Sequence, residues 1–365
     1  MLRAVERNRE FFMTSQSDQV GRGDRVPQVV TLGGEAKVHL TLAVTDYDHV
    51  RDLVHGVVKA DGIALTPVVL EVEEIFYRFI NHLEWDVSEM SFAKYLALTA
   101  QGGAPMVAIP VFPSRVFRHS SIYVRKDRKI AQPKDLEGKT VGIPEWAQTA
   151  GIFARGMLAE TYGVDLAKIT WVQAGVNNAG RVEKVDLKLP DGIRYSQRGD
   201  TSLSDMLVSG EIDAAMTARV PNAFAGGQGG DIVRLFPDYR QDEARYFAQT
   251  KIFPIMHVIA IRRPVLDAWP WIARNLLKAF EAAKAMSLAR LFDLTASRFA
   301  MPWGSGLAEE FAATFGRDPF PYGIDANRAT LEAFCRFGHA QGVTARLMRP
   351  EDLFPAQVQG SGYKV

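Results

Sequence analysis

Arg115, Arg118 and His119 stand close together, just after an apolar run that closes on Pro110-Val111-Phe112-Pro113. A guanidinium presents a planar fork that fits a carboxylate with two hydrogen bonds, so this cluster reads as a grip for an anion. Either arginine can instead be solvated, or paired with an acid across a turn. His119 and His257 each sit at the end of an apolar segment. An imidazole can take or give a proton near neutral pH, although a satisfied histidine at a strand end is the plainer alternative. Glu89, flanked by Ser88 and Ser91 in a turn after a short strand, has no evident structural duty and is the carboxylate candidate. Should both histidines converge with Glu89 or Glu145, they would also suit a divalent metal. No close-spaced pair of histidines supports that, and the metal question stays open.

Asp46 and Tyr47 follow the first predicted strand, where open α/β sheets contact their ligands. Asp46 reads more readily as a helix cap. Pro144-Glu145-Trp146-Ala147-Gln148-Thr149 opens a helix whose free N–H groups and positive end suit an anion. Glu145 can alternatively complement that dipole. Arg219, with Thr217 and Pro221, follows a strand at 212–216 and either clamps a ligand or lies on the surface. The candidate binding set is Arg115, Arg118, Asp46, Tyr47, Ser91, Glu145, Thr149 and Arg219. The candidate catalytic set is His119, His257 and Glu89.

The elements that must position these groups alternate in type. Strands are predicted at 38–44, 63–70, 106–112, 122–124, 140–143, 169–172, 212–216 and 253–261, with a short strand and turn over 86–91. Helices are predicted after Asp48, at 72–82, 148–162, 203–209, 271–291 and 330–339. Such alternation indicates parallel α/β units. The apolar crossings near 119–124 and 253–261 divide the chain into two lobes joined by a hinge, although no internal sequence repeat is visible. One lobe is expected from 38–120 with 256–365, and the other from 121–255. Residues 1–37 are expected to be a flexible extension, since 14–37 are polar and lack periodicity. Met13 offers an alternative start.

Composition sets the limits. The chain has 365 residues, 47% of them hydrophobic and 23% charged, with a formal net charge of +1. No bulk field therefore argues for nucleic acid or an anionic membrane. The single cysteine, Cys335, excludes an intramolecular disulfide and reads as a buried thiol. No apolar stretch is long enough to span a bilayer and no secretory core is present, so a cytoplasmic address is expected. The sequence fits a monomer or a homo-oligomer equally well.

Asp135-Leu-Glu-Gly-Lys-Thr-Val-Gly-Ile143 resembles the start of the second lobe in type II periplasmic binding proteins. Further segments narrow the likeness: 45–48 (Thr-Asp-Tyr-Asp), 74–76 (Glu-Ile-Phe), 86–91 (Asp-Val-Ser-Glu-Met-Ser), 108–115 (Ala-Ile-Pro-Val-Phe-Pro-Ser-Arg) and 117–120 (Phe-Arg-His-Ser). To these are added 141–145 (Val-Gly-Ile-Pro-Glu), 234–239 (Arg-Leu-Phe-Pro-Asp-Tyr) and 252–257 (Ile-Phe-Pro-Ile-Met-His). Together, over roughly 38–353, they resemble the 4,5-dihydroxyphthalate decarboxylase family. The resemblance implies a two-lobed periplasmic-binding-protein-like α/β fold with the site in the cleft. It also implies a small aromatic carboxylate as substrate and the loss of one carboxylate as CO2, giving protocatechuate. No organic cofactor is expected. The rival expectation is a solute-binding or sensing protein for an aromatic carboxylate, and a third is another lyase or isomerase on the same scaffold.

Overall fold

The computed structural model describes residues 25–360, apart from 184, 186, 225 and 297. Residues 1–24 of the expected extension lie outside the described residues. Its last part is not an extension: Val29–Leu32 forms strand β1 and Glu35–Val44 forms β2. They pair antiparallel from Leu32↔Glu35 to Val29↔Val38. The two-residue turn is Gly33-Gly34, with φ of +61° and +82°. Glycine reaches both positive angles without a Cβ penalty, as a tight hairpin requires.

The first sheet adds β3 (Ile63–Val69), β4 (Val87–Ser91), β5 (Met106–Arg115) and a late arrival, β12 (Ile255–Arg262). Strand β12 is antiparallel to both neighbours, and apart from β1, which also pairs with β2, the order is β3-β2-β4-β12-β5. A second sheet contains β6 (Ile122–Arg125), β7 (Thr140–Ile143), β8 (Thr170–Gly175), β9 (Arg194–Ser202), β10 (Ala214–Met216) and β11 (Ile232–Arg234). Its order is β9-β8-β7-β10-β6-β11, with β6 antiparallel to β10 and β11. Setting the edge strand β9 aside, each lobe runs second strand, first strand, third strand, crossing strand, fourth strand. The repeat that the sequence conceals is therefore present in the topology.

Helices cover the sheets: α1 (Asp48–Val54), α2 (Val72–His82), α3 (Phe92–Gln101), α4 (Thr149–Glu160) and α5 (Leu203–Ser209). They are followed by α6 (Tyr239–Thr250), α7 (Arg263–Ala268), α8 (Ile272–Leu291), α9 (Gly304–Phe315) and α10 (Arg328–Ala340). Among the described residues, no helix is long and apolar enough to cross a membrane. Central strand β4 is buried from Val87 to Met90, as expected of a strand covered on both faces. Helix α2 turns Ile75 and Phe79, one turn apart, into the core and ends at Leu83, whose φ of +47° breaks the helix.

The C-terminal segment packs against both lobes. Phe334 of α10 stacks between Phe92 of α3 (4.4 Å) and Phe153 of α4 (4.7 Å). Beyond it, Gln341 accepts hydrogen bonds from Trp146 Nε1 at its backbone carbonyl and from the buried Arg155 at its side chain. Helix α10 thus fastens one lobe to the other. Cys335, on the same helix, is buried.

Candidate active site

Three strands of the first lobe converge. Thr45 and Tyr47 follow β2, Glu89 lies in the middle of β4, and His257 is the third residue of β12. In the β4–β12 ladder Glu89 pairs with Ile259 and Ser91 with His257, so Glu89 and His257 are diagonal neighbours on one face. Glu89 is fully buried. Its Oε1 accepts from the Tyr47 hydroxyl at 2.7 Å and from His257 Nδ1 at 2.6 Å, and its Oε2 accepts from the Thr45 N–H at 2.9 Å. Burial alone would raise this carboxyl, but the bonds from His257, Thr45 and Tyr47 hold it below its ordinary value. Burial, reinforced by the Glu89 charge, pushes the Tyr47 phenol well above its usual range, so Tyr47 remains a donor. Phe76 of α2 packs edge-on against the His257 ring at 4.8 Å. With Nδ1–H given to Glu89, Nε2 is the nitrogen available to exchange a proton with a ligand.

The second lobe meets this cluster through the start of α4. The Thr149 hydroxyl bonds Ser91 Oγ at 3.1 Å and accepts the Ala93 N–H at 3.0 Å. No side chain caps the helix at Gln148, so its first N–H groups have no capping side chain to bond. Beside it, Glu145 is 3% exposed and is held by Arg181 (2.7 Å) and by Lys94 of α3 (3.3 Å). Lys94 also pairs with Glu183 at 3.3 Å. Arg219 is on the surface, 67% exposed, and pairs with Glu73 of α2 at 3.2 Å, as does Arg181 at 3.5 Å. These ion pairs all join one lobe to the other, apart from Arg181–Glu145.

Tyr47, Glu89, His257, Ser91 and Thr149 are therefore linked by contacts, with Glu145 close by. Other candidates lie elsewhere. Arg115 donates to the carbonyls of Pro321 (2.7 Å) and Phe253 (3.3 Å) and to the Asn327 side chain, so its fork holds the 320s loop rather than a ligand. Arg118 is buried and reaches the Met256 sulfur at 2.7 Å, on the residue before His257. Successive strand side chains point to opposite faces, which separates it from the Glu89 cluster. Burial lowers the Arg118 guanidinium to about 10. His119 is fully buried among Tyr162, Phe236 and Tyr246, bonds the Tyr162 hydroxyl at 3.1 Å, and does not approach His257 through any contact. The two histidines therefore do not converge. Among the described residues, no group of three or more His, Cys, Asp or Glu is placed to hold a metal. Asp46 is exposed and is not the cap: the N-cap position of α1 is Tyr47, without a side-chain cap bond.

Sequence reasoning missed Lys94, Arg181, Glu183 and Phe76. A signal existed for Lys94, the one charge in the apolar stretch Phe-Ala-Lys-Tyr-Leu-Ala-Leu, because a buried ammonium demands partners.

A 4,5-dihydroxyphthalate decarboxylase from Comamonas testosteroni is 37% identical over 326 residues, covering 89% of this chain and 98% of that protein. The chain belongs to the 4,5-dihydroxyphthalate decarboxylase family. A second 4,5-dihydroxyphthalate decarboxylase, from Pseudomonas putida, is 43% identical over 192 residues, 52% of this chain and 74% of that protein. Residues 89–188 also match the family described as NMT1/THI5 like. That match spans Glu89 and the start of α4 but not His257. Among solved structures, the periplasmic aliphatic sulphonate binding protein SsuA from Escherichia coli aligns over 90% of this chain and 95% of its own, at 14% identity and a TM-score of 0.46. The alkanesulfonate-binding protein SsuA from Xanthomonas axonopodis pv. citri aligns over 87% and 98%, at 12% identity and a TM-score of 0.46.

Proposed function

We propose that this member of the decarboxylase family is a carboxy-lyase for a hydroxylated aromatic dicarboxylate, 4,5-dihydroxyphthalate in the first place, releasing CO2 and leaving protocatechuate. The observation that carries the reading is the Glu89–His257 pair with Tyr47, facing the junction of the lobes in a chain of this family.

Direct loss of CO2 from an aromatic ring would leave an electron pair in the ring plane, where the π system cannot stabilise it. Protonating the carboxylate-bearing carbon first avoids that species. The hydroxyl para to that carbon feeds electrons into the ring as the proton arrives. The carbon–carbon bond then breaks, and its electrons restore the aromatic ring. The balance is one carboxylate plus one proton giving one ring C–H and CO2, so the site must draw a proton from solvent in every turnover.

His257 supplies that proton from Nε2, and Glu89 fixes the imidazole and balances its charge. Tyr47 donates to the same carboxylate and keeps its orientation. Thr149, Ser91 and the free N–H groups opening α4 suit the carboxylate that is retained. Gripping both carboxylates equally would stabilise the ground state as much as the transition state, so the departing one is expected to meet an apolar wall such as Phe76.

The test is to incubate the purified protein with 4,5-dihydroxyphthalate and to follow CO2 and protocatechuate. Turnover is expected, and His257→Ala should lower kcat by about 10²–10⁴-fold with little change in KM. Saturable binding without any product would replace this reading with a solute-binding one.

A further inference from the structure

Helices α6, α8 and α9 line a half-open cavity of about 830 Å³ that the cluster around Glu89 does not use. Its size falls within the ~300–1,000 Å³ of small-molecule sites. We propose that it binds an uncharged aromatic molecule carrying a hydroxyl group, a phenol or naphthol, independently of the cleft.

The walls favour a ring. Phe117 and Phe253 stack at 4.4 Å and lie within 10° of parallel, Phe315 joins them at 5.5 Å from Phe253, and Phe320 meets Phe253 edge-on at 5.6 Å. These offset-stacked and perpendicular arrangements are the ones that a further aromatic ring can extend.

The polar groups then decide which ring. Lys284 is buried and already held by Asp318 at 2.7 Å, Glu281 at 2.9 Å and the Phe320 carbonyl at 3.1 Å. Arg240 on the rim pairs with Glu310 at 2.7 Å. The cations of the lining are thus engaged by acids of their own. His49 bonds the Pro113 carbonyl through Nε2 at 3.0 Å, and burial holds its imidazole below the ordinary value, which leaves a lone pair on Nδ1. Oε1 of Glu243 is enclosed and has no hydrogen-bond partner. The spare groups are mixed: acceptors on His49 and Glu243 lie beside the Tyr239 hydroxyl and the Gln241 amide, and burial raises the Glu243 carboxyl to about 7. With both cations engaged, an anionic carboxylate finds no counter-charge there, whereas a neutral hydroxyl can donate and accept.

The position also separates the site from the cleft. Tyr47, Glu89, Ser91, Thr149 and His257 do not line it. Phe117 and Phe253 instead flank the two hinge crossings, which are tied by the Val116 N–H to Pro254 carbonyl bond at 3.1 Å. Of the lining residues, His49 borders the cluster, its ring 5.4 Å from that of Tyr47, and an occupant seated between Phe117, Phe253 and α8 touches the hinge while leaving His257 to a cleft ligand.

The probe is 2-naphthol, followed by its own fluorescence in titrations of the full-length protein, with 2-naphthoate as the charged control. Saturable one-to-one binding is expected, at least tenfold tighter than for 2-naphthoate and unmoved by excess phthalate. Leu288→Trp, which fills the cavity from α8, should weaken it at least tenfold. Phe311→Ala, at a position 40% exposed and therefore gentle on the fold, should weaken it as well. Absence of saturation, equal affinity for 2-naphthoate, displacement by phthalate, or undiminished binding in both folded variants would each overturn the proposal. The readout uses no turnover, so failure of the decarboxylase assay leaves it intact.

Discussion

His119 sits among three aromatic rings, and burial pushes its imidazole down to about 4, so it is neutral in the folded state near neutral pH. Between pH 6.5 and that value the unfolded chain binds a proton that the native state refuses. Stability from this residue is therefore present above pH 6.5 and lost as pH falls toward 4, to a limit of about 3 kcal/mol. Urea unfolding of the wild type and His119→Phe from pH 7 to pH 4.5 should show a shallower pH slope in the variant. Parallel slopes would refute the assignment of His119 as a neutral core residue. Arg115 also belongs to the framework. Arg115→Ala leaves the Pro321 and Phe253 carbonyls and Asn327 short of a donor, and is expected to lower stability by about 2–4 kcal/mol with KM unchanged. A large rise in KM with normal stability would return Arg115 to the ligand. Both residues looked functional in the sequence because Arg115, Arg118 and His119 are near neighbours in the chain. In an extended crossing, near neighbours point in different directions. Glu89 and His257 are far apart in the sequence, and only the β4–β12 ladder makes them partners.

At the scale of elements, legibility followed periodicity. Helix α2 shows one apolar face, Ile75 and Phe79, and its limits in the sequence and the structure coincide at Val72–His82. Strand β7 and helix α5 likewise coincide with their predicted spans. Helix α3 was missed because Phe92 through Ala97 are buried all round, which leaves no apolar stripe to detect. Strand β9 was missed for the opposite reason: Arg-Tyr-Ser-Gln-Arg-Gly-Asp-Thr-Ser is polar, as a sheet edge permits. The β1–β2 hairpin did carry a signal, Gly33-Gly34, within a stretch whose composition suggested disorder. Packing between elements is as demanding as their limits. A Cβ at Gly156 of α4 would come within 2.3 Å of the Phe337 ring of α10. Gly156→Ala should lower stability by about 1–3 kcal/mol, despite the gain in helix propensity, because the buried ring must move. A thermal unfolding midpoint at or above that of the wild type would show that α10 yields freely.

Across the whole molecule, two sheets of the same strand order are held together by the hinge crossings, by α10 and by ion pairs between the lobes. These ion pairs are unequal. The Glu73–Arg219 pair is exposed on both sides (51% and 67%), where solvent and salt screen it to little net effect. Lys94 is 10% exposed and reaches Glu145 and Glu183, which are 3% and 6% exposed. Removing the ammonium leaves buried carboxylates from one lobe facing the place where a cation from the other stood, a change that typically destabilises by ~3–5 kcal/mol. The molecule can relieve that in two ways: it can unfold more readily, or it can part its lobes and hydrate the acids. Lys94→Ala is therefore expected to give a larger radius of gyration by solution X-ray scattering, or an unfolding midpoint lowered in proportion. Glu73→Ala should leave both quantities as in the wild type. If the two variants behave alike, the buried network does not hold the lobes together, and closure must depend on α10 and the hinge alone.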